Sequence, residues 1–129
     1  DKTGNYLGIR KYPEKGKKLL NYFSFRCGLA HPTVMFRLDH VKKIGMYNED
    51  LLAGEDLDLW LRMLKFGFKL HNLQAPLLDY RSNKFRKSLH WEQVLQIRQA
   101  NTGLFGKKKE IAFIFCLKIF LFLKKLIDR

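Results

Sequence analysis

The sequence is poor in cysteine, proline and acidic residues. It has two cysteines, three prolines and 12 Asp and Glu against 25 Lys and Arg. Cys27 and Cys116 lie far apart in the sequence and in no Cys-x-x-Cys pair, which excludes a disulfide framework and a thiolate metal site. No apolar run reaches the roughly 20 residues of a membrane span, and the first residues lack the apolar core of a signal peptide. We therefore expect a reducing compartment. The missing initiator Met suggests a piece of a longer protein.

Apolar and basic residues, by contrast, are plentiful. Of the 129 residues 47% are hydrophobic and 14% aromatic, which predicts one folded core rather than a disordered tail. The net charge of +13 is uneven: +5 over residues 1–50, −1 over 51–80 and +9 over 81–129. The acidic centre suggests chemistry by carboxylates, and the basic flanks suggest contact with phosphates or anionic lipids.

The best-defined predicted helix runs from about Gly54 to Phe66. Acidic residues fill its first turn, where they complement the helix dipole, and Gly67 follows as the expected left-handed cap. Apolar residues at helical spacing form a stripe that we expect to be buried: Leu57, Trp60, Leu61 and Leu64. Acids in a first turn are also common for purely structural reasons, and Asp58 can pair with Arg62 at i+4. The residue types alone favour structure over catalysis.

The remaining pattern predicts short strands and four further helices. Short extended segments, typical of strands, are expected at residues 6–12, 33–36, 68–73 and 76–80. Pro32 is expected to exclude helix at His31. The helices are expected at residues 14–26, at a short segment capped by Asp39 and ended by Gly45, and at 87–101 and 110–129.

The last predicted helix is amphipathic with a very wide apolar face, and Lys107, Lys108 and Lys109 precede it. Basic residues beside such a face are typical of a helix that lies on a membrane surface. The same face could instead pack on the body of the protein, on a missing half or on a second copy. Both interpretations stay open at this point.

Four blocks of the sequence, in order, resemble the C-terminal half of a bacterial family 2 glycosyltransferase of the GT-A fold. The blocks are His31–Arg37, Ile44–Asp50, Gly54–Arg62 with Gly67–Phe68, and Pro76–Arg81. The resemblance covers roughly residues 1–85 and implies an α+β fold with a small mixed sheet, packed helices and a C-terminal amphipathic helix. The acceptor-side part of the catalytic domain is then expected at residues 1–105, and the amphipathic helix at 106–129.

The resemblance also implies roles for individual residues. The acidic pair before the Leu-x-Leu-Trp helix places the catalytic base at Asp56, which would take a proton from the acceptor hydroxyl in an inverting transfer, and Glu55 would orient it or bind a hydroxyl. Substrate-binding roles are implied for His31, Arg37, Trp60 and Arg81. Trp60 could offer its ring to a sugar or fill the core, and its place in the apolar stripe favours the core.

A divalent metal, Mg²⁺ or Mn²⁺, is the cofactor that the resemblance implies. The family holds it on an Asp-x-Asp motif at a strand end, and no such motif precedes His31. Asp56-Leu57-Asp58 has that spacing but lies inside a predicted helix. We therefore expect most metal ligands outside this chain, predict no metal site of its own, and expect the isolated piece to be inactive. Asn83 stands where relatives often have His, with His90 a weak substitute.

The expected partners follow from the same resemblance. They are a nucleotide-sugar donor and a glycan or lipid-linked acceptor, with a membrane surface contacted through residues 107–129 and a homodimer as a further way to cover exposed apolar surface. The expected location is the cytoplasm, at the inner face of the plasma membrane in the lipid-linked case, in a role in polysaccharide biosynthesis. No specific nucleic acid is expected. The alternative is a basic module that binds polyanions or nucleic acid, or associates with a membrane surface.

Overall fold

The computed structural model of the chain describes residues 3–81 and 91–127, and helices dominate this part. Five α-helices are present in it: α1 (Gly16–Phe23), α2 (Leu38–Lys43), α3 (Glu55–Lys65), α4 (Trp91–Ala100) and α5 (Lys107–Ile127). A 3-10 turn at His31–Thr33 precedes α2. His31 therefore lies in a helical turn, although Pro32 was expected to exclude helix there. A proline is tolerated at the first positions of a helix because the N–H groups at these positions have no partner within the helix.

The core is built around α3. Its side chains Leu59, Trp60 and Leu61 are almost completely buried, as are Phe23 of α1 and Val41 of α2. α3 packs against α2 on one side and α4 on another, and α4 packs against α5. The predicted helix is confirmed to within a residue at each end, and Gly67 has the left-handed φ of +84° that ends it.

The junction of α1, α4 and α5 is held by a buried arginine that the sequence pattern did not single out. Arg98 is 6% exposed, and its Nη1 donates a hydrogen bond to the carbonyl oxygen of Phe23. The guanidinium lies 5.7 Å from the ring centroid of Phe105 and 5.1 Å from that of Phe113. Burial lowers the pKa of Arg98 to about 10. Arg98 therefore joins three helices while remaining charged at neutral pH.

The start of α5 is fixed by Glu110. Its carboxylate accepts hydrogen bonds from the backbone N–H groups of Gly103 and Phe105, each at 2.9 Å. A first-turn glutamate that reaches back to the preceding loop satisfies free N–H groups in the manner of a capping box. The helix consequently begins at Lys107, three residues earlier than predicted.

Most of the segments predicted as strands are irregular in this structure. In residues 3–81 and 91–127 the only β-type pairing is an isolated antiparallel bridge between Lys15 and His71. It is extended by Asn72, whose N–H donates to the Glu14 carbonyl at 2.7 Å and whose Nδ2 donates to those of Pro13 and Gly28. A strand needs a neighbour along its length to pair its alternating N–H and C=O groups. The small mixed sheet is not seen in the described residues, and the α+β GT-A fold stays a prediction.

Helices are also found where the sequence predicted α1, α2 and α4, but Asp39 does not cap α2, because the helix begins at Leu38 and Arg37 stands at its N-cap. α1 covers the centre of the predicted 14–26, and α4 (Trp91–Ala100) agrees with the part of the predicted 87–101 that the structure describes. Asn83 and His90, weighed above, lie outside the described residues.

Candidate functional site

The first turn of α3 is positioned by a glycine. Gly54 has φ +82°, a left-handed conformation that other residues rarely adopt, and a Cβ placed there would lie 3.0 Å from Cδ1 of Ile97. The chain can therefore turn closely over α4 and enter α3 at once. Glu55 and Asp56 come to lie in the first turn, where the helix dipole favours negative charge.

The two aspartates of α3 have different surroundings. Asp58 is 6% exposed, and its carboxylate accepts hydrogen bonds from Nε of Arg62 at 2.7 Å and from Nδ2 of Asn101 at 3.3 Å. The predicted pairing of Asp58 with Arg62 is thus confirmed. Asp56 is half-buried and accepts a hydrogen bond from the N–H of Leu57 at 2.7 Å. No cation is paired with Asp56 within residues 3–81 and 91–127. Asp58 serves the structure, whereas Asp56 keeps a carboxylate that can act on a ligand.

Arg62 connects Asp58 to a neighbouring loop through hydrogen bonds. Its Nη1 donates to the carbonyl of Ile44 and its Nη2 to that of Met46, both at 2.6 Å. Met46 has φ +61°, a left-handed conformation unusual for a residue with a side chain. Because the guanidinium binds the carbonyls on either side of Gly45, it holds this strained loop in one shape. The next residue in the loop is Tyr47.

Tyr47 and His31 meet beside the start of α3. The Tyr47 hydroxyl lies 3.0 Å from Nε2 of His31, and the His31 ring stands edge-on to Trp60 with centroids 6.2 Å apart. Burial raises the pKa of Tyr47, and the negative charges of Asp56 and then Glu55 raise it further. The structure therefore brings His31, Tyr47, Glu55 and Asp56 into one region, which we call the carboxylate site.

Sequence reasoning missed Tyr47 as a site residue. It belongs to one of the four blocks that carry the resemblance, but no pattern of residue types in that block sets it apart from its neighbours. Its partner His31 lies sixteen residues earlier. The contact depends on the left-handed turn at Gly45 and Met46, which only the three-dimensional structure shows.

Cys27 lies near the carboxylate site, and its thiol has low reactivity. Burial raises the pKa of its thiol to about 11, and the charge of Asp56 adds to the increase. Its Sγ lies 3.4 Å from the carbonyl oxygen of Leu29, to which the thiol donates. The thiol is protonated at neutral pH and is a poor nucleophile or metal ligand.

The other predicted binding residues are not gathered at this site. Trp60 is 1% exposed and fills the core between His31 and Phe36, so its ring faces no solvent on which a sugar could stack. Of its two interpretations, the structure supports the core. Arg37 and Arg81 are exposed, and within residues 3–81 and 91–127 neither forms an ion pair with Asp56. Their substrate-binding roles stay predictions.

The described residues do not fit a divalent metal. No group of three or more His, Cys, Asp or Glu side chains within them is arranged to hold a metal ion. Asp56 and Asp58 have Asp-x-Asp spacing, but the carboxylate of Asp58 is committed to Arg62 and Asn101. The expected Mg²⁺ or Mn²⁺ therefore has no ligand set in this part of the chain.

Comparison with known proteins gives relatives of one kind. The chain is 33% identical over 126 residues to the O-antigen biosynthesis glycosyltransferase WbnJ of Escherichia coli, covering 91% of this chain and 46% of WbnJ. It is 34% identical over 76 residues to the UDP-Gal:alpha-D-GlcNAc-diphosphoundecaprenol beta-1,3-galactosyltransferase of Escherichia coli, covering 59% of this chain and 27% of that enzyme.

A third relative comes from an archaeon. An uncharacterized glycosyltransferase of Methanocaldococcus jannaschii is 34% identical over 83 residues, which cover 63% of this chain and 28% of that protein. No family model and no solved structure matches the chain. The chain spans between about a quarter and a half of the length of the relatives it matches. Its sequence is therefore related to part of the sequence of glycosyltransferases.

Proposed function

We propose that the chain is the acceptor-side part of an inverting family 2 glycosyltransferase of the GT-A fold, with Asp56 as the general base. The transferred sugar comes from a nucleotide-sugar, and the acceptor is a glycan or a lipid-linked sugar. The observation that carries the proposal is the contrast between the two aspartates of α3: Asp58 is buried and ion-paired, whereas Asp56 is half-open and unpaired by any described cation.

The reaction needs a base at the position of Asp56. An acceptor hydroxyl attacks the anomeric carbon, the bond from that carbon to the nucleotide diphosphate breaks, and the hydroxyl proton passes to the carboxylate. Attack from the face opposite the leaving nucleotide inverts the anomeric configuration. A carboxylate in the first turn of a helix lies at the positive end of the helix dipole, which favours its negative charge.

His31, Tyr47 and Glu55 are proposed to hold the acceptor. The raised pKa of Tyr47 keeps its phenol protonated at neutral pH, so that it can donate a hydrogen bond to a sugar hydroxyl. His31 fixes the position of the Tyr47 hydroxyl by their 3.0 Å contact. Glu55 adds a second carboxylate, suited to accept hydrogen bonds from sugar hydroxyls.

The donor and the metal are proposed to bind largely outside this chain. The described residues do not fit a metal site, and the relatives are two to four times longer than the matched part. The names of the two Escherichia coli relatives, one an O-antigen glycosyltransferase and the other acting on a diphosphoundecaprenol-linked sugar, support a lipid-linked acceptor in polysaccharide biosynthesis.

The test measures acceptor-dependent release of nucleoside diphosphate by a protein that carries this chain together with a nucleotide-binding half. A panel of nucleotide-sugars identifies the donor. We expect Asp56→Asn to lower kcat by about 10²- to 10⁴-fold, the usual contribution of a general base. Tyr47→Phe is expected to raise the acceptor KM with a smaller effect on kcat, because it removes a donor without removing the base. Unchanged transfer by Asp56→Asn would reject the proposal.

A further inference from the structure

The outward face of α5 is apolar along the whole helix. Exposed large hydrophobic side chains recur on it at helical spacing: Ile111, Phe115, Ile119, Phe122, Leu123 and Leu126. Phe115 and Phe122 are 62% and 64% exposed. At 100° per residue, five of the six fall within a band of about 80°, with Leu123 beside it. We call these six residues the outer face of α5.

The opposite side of α5 is the one that joins the body of the protein. Leu117 is 6% exposed, and Phe113 and Leu121 are partly buried against the core. Phe120, at the border, meets Trp91 of α4 edge-on with centroids 5.5 Å apart. α5 therefore already packs on the body of the protein through one side. The outer face lies on the other side and does not contribute to this packing. With 21 residues the helix is about 31 Å long. The outer face is therefore a continuous apolar surface and not a set of single exposed hydrophobic side chains.

The charges around this face have one sign. Lys107 and Lys108 are exposed at the start of the helix, and Lys118 is exposed beside the apolar band, whereas Nζ of Lys109 donates a hydrogen bond to Oδ1 of Asn21 in α1. The only acidic residue of α5, Glu110, has its carboxylate turned back onto the N–H groups of Gly103 and Phe105. No carboxylate of the helix therefore faces outward among the apolar side chains.

These charges discriminate between the surfaces that could cover the outer face. A second copy would bring like charges together, because each chain carries a net charge of +13 and the residues beside the face are lysines. An anionic lipid surface complements the same lysines and accepts the apolar side chains below its headgroups. None of the described helices is long and apolar enough to cross a membrane.

We propose that α5 binds in the plane of an anionic lipid bilayer, with the outer face in the acyl boundary and Lys107, Lys108 and Lys118 at the headgroups. The inference does not depend on the proposed sugar transfer. Asp56→Asn could leave sugar transfer unchanged while the chain binds lipid, and the chain could fail to bind lipid while Asp56 acts as the base.

The experiment is flotation of the full chain with vesicles of phosphatidylcholine alone or with 30% phosphatidylglycerol. We expect binding that is at least tenfold stronger with phosphatidylglycerol and that weakens with salt. The double variant Phe115→Glu/Phe122→Glu is expected to lose at least tenfold in binding. The matched control, Met35→Glu/Leu52→Glu, changes two apolar residues that are 98% and 84% exposed outside α5, and it should bind as the wild type does. Circular dichroism checks that both variants are folded.

A fluorophore on Cys116 gives a second readout. This thiol is exposed on α5, whereas burial holds the Cys27 thiol protonated, so labelling near neutral pH favours Cys116. A blue shift of an environment-sensitive probe on anionic vesicles is expected. Equal binding by the Phe115→Glu/Phe122→Glu variant would overturn the proposal. So would a wild-type dimer in light scattering that this variant dissociates without any vesicle binding, or loss of vesicle binding when the chain is joined to a nucleotide-binding half, which would assign the outer face to that half.

Discussion

α3 and α5 both carry many apolar side chains, but they differ in what covers them. In α3 the side chains Leu57, Leu59, Trp60, Leu61 and Met63 are all buried by the surrounding chain. In α5 a single described side chain, Leu117, is buried to the same extent, and an apolar band faces outward. The difference indicates that α3 organises the fold and the carboxylate site, whereas α5 presents a surface for something outside the chain.

The largest effect is expected from truncating the centre of α3. Trp60→Ala removes a side chain that is 1% exposed and should lower the free energy of unfolding by about 3–5 kcal/mol. Phe115→Ala on α5 is the matched control, since this side chain is 62% exposed and should cost about 0.5 kcal/mol or less. Urea denaturation of both variants checks the contrast. Equal losses would mean that the outer face of α5 is part of the core.

The two cysteines extend the comparison to reactivity. Burial raises the pKa of Cys27 from 9.0 to about 11, which lowers its thiolate fraction at pH 8 by about a hundredfold, while Cys116 is exposed on α5. Mass spectrometry after brief alkylation at pH 8 should find Cys116 modified and Cys27 intact. Raising the pH towards 11 should bring in Cys27, because its protonated form is lost there. Equal modification of both thiols at pH 8 would contradict the described burial.

A third contrast lies within α3. Asp58→Asn removes the charge that Arg62 and Asn101 surround, and it should lower the free energy of unfolding by about 1–3 kcal/mol. Asp56→Asn is isosteric and can keep the hydrogen bond from the Leu57 N–H, so it should cost about 0.5 kcal/mol or less. Thermal unfolding of the two variants gives the comparison. A larger loss for Asp56→Asn would assign Asp56 a structural role.

The smallest effect concerns the two glycines that directly precede α3 and α5. Gly54 and Gly106 both have left-handed φ, of +82° and +85°, but only Gly54 would place a Cβ 3.0 Å from another side chain. Each Gly→Ala change should cost about 1 kcal/mol from backbone strain, with Gly54→Ala the more costly of the two. Chemical denaturation at high precision measures the order. The reverse order would show that Ile97 moves aside freely.

The sequence predicted the helices well because their signals are local. Acids in the first turn, an apolar stripe and Gly67 together mark α3, and the Asp58–Arg62 pair follows from i+4 spacing. The predicted strands had no such support, since a strand depends on a partner elsewhere in the chain, and in the described part only Lys15 and His71 form a bridge.

The site was predictable in part for the same reason. Asp56 and Glu55 stand in a recognisable local pattern, and His31 belongs to a motif. Tyr47 was missed because its position depends on Arg62 binding the carbonyls of Ile44 and Met46. The pairing of Arg62 with Asp58 was predicted, but its bonds to backbone carbonyls were not, because every residue type carries a carbonyl group. The burial of Arg98 likewise depends on helices that meet only in the folded chain.

The most direct measurement compares turnover per folded molecule for Asp56→Asn and Asp58→Asn, in a protein that joins this chain to a nucleotide-binding half. We expect Asp56→Asn to retain wild-type stability and to lose at least a hundredfold in kcat. Asp58→Asn should lose stability but keep more than a tenth of the turnover at a temperature where it is folded. Wild-type turnover by Asp56→Asn, or the larger loss of turnover in Asp58→Asn, would contradict the assignment of Asp56 as the base.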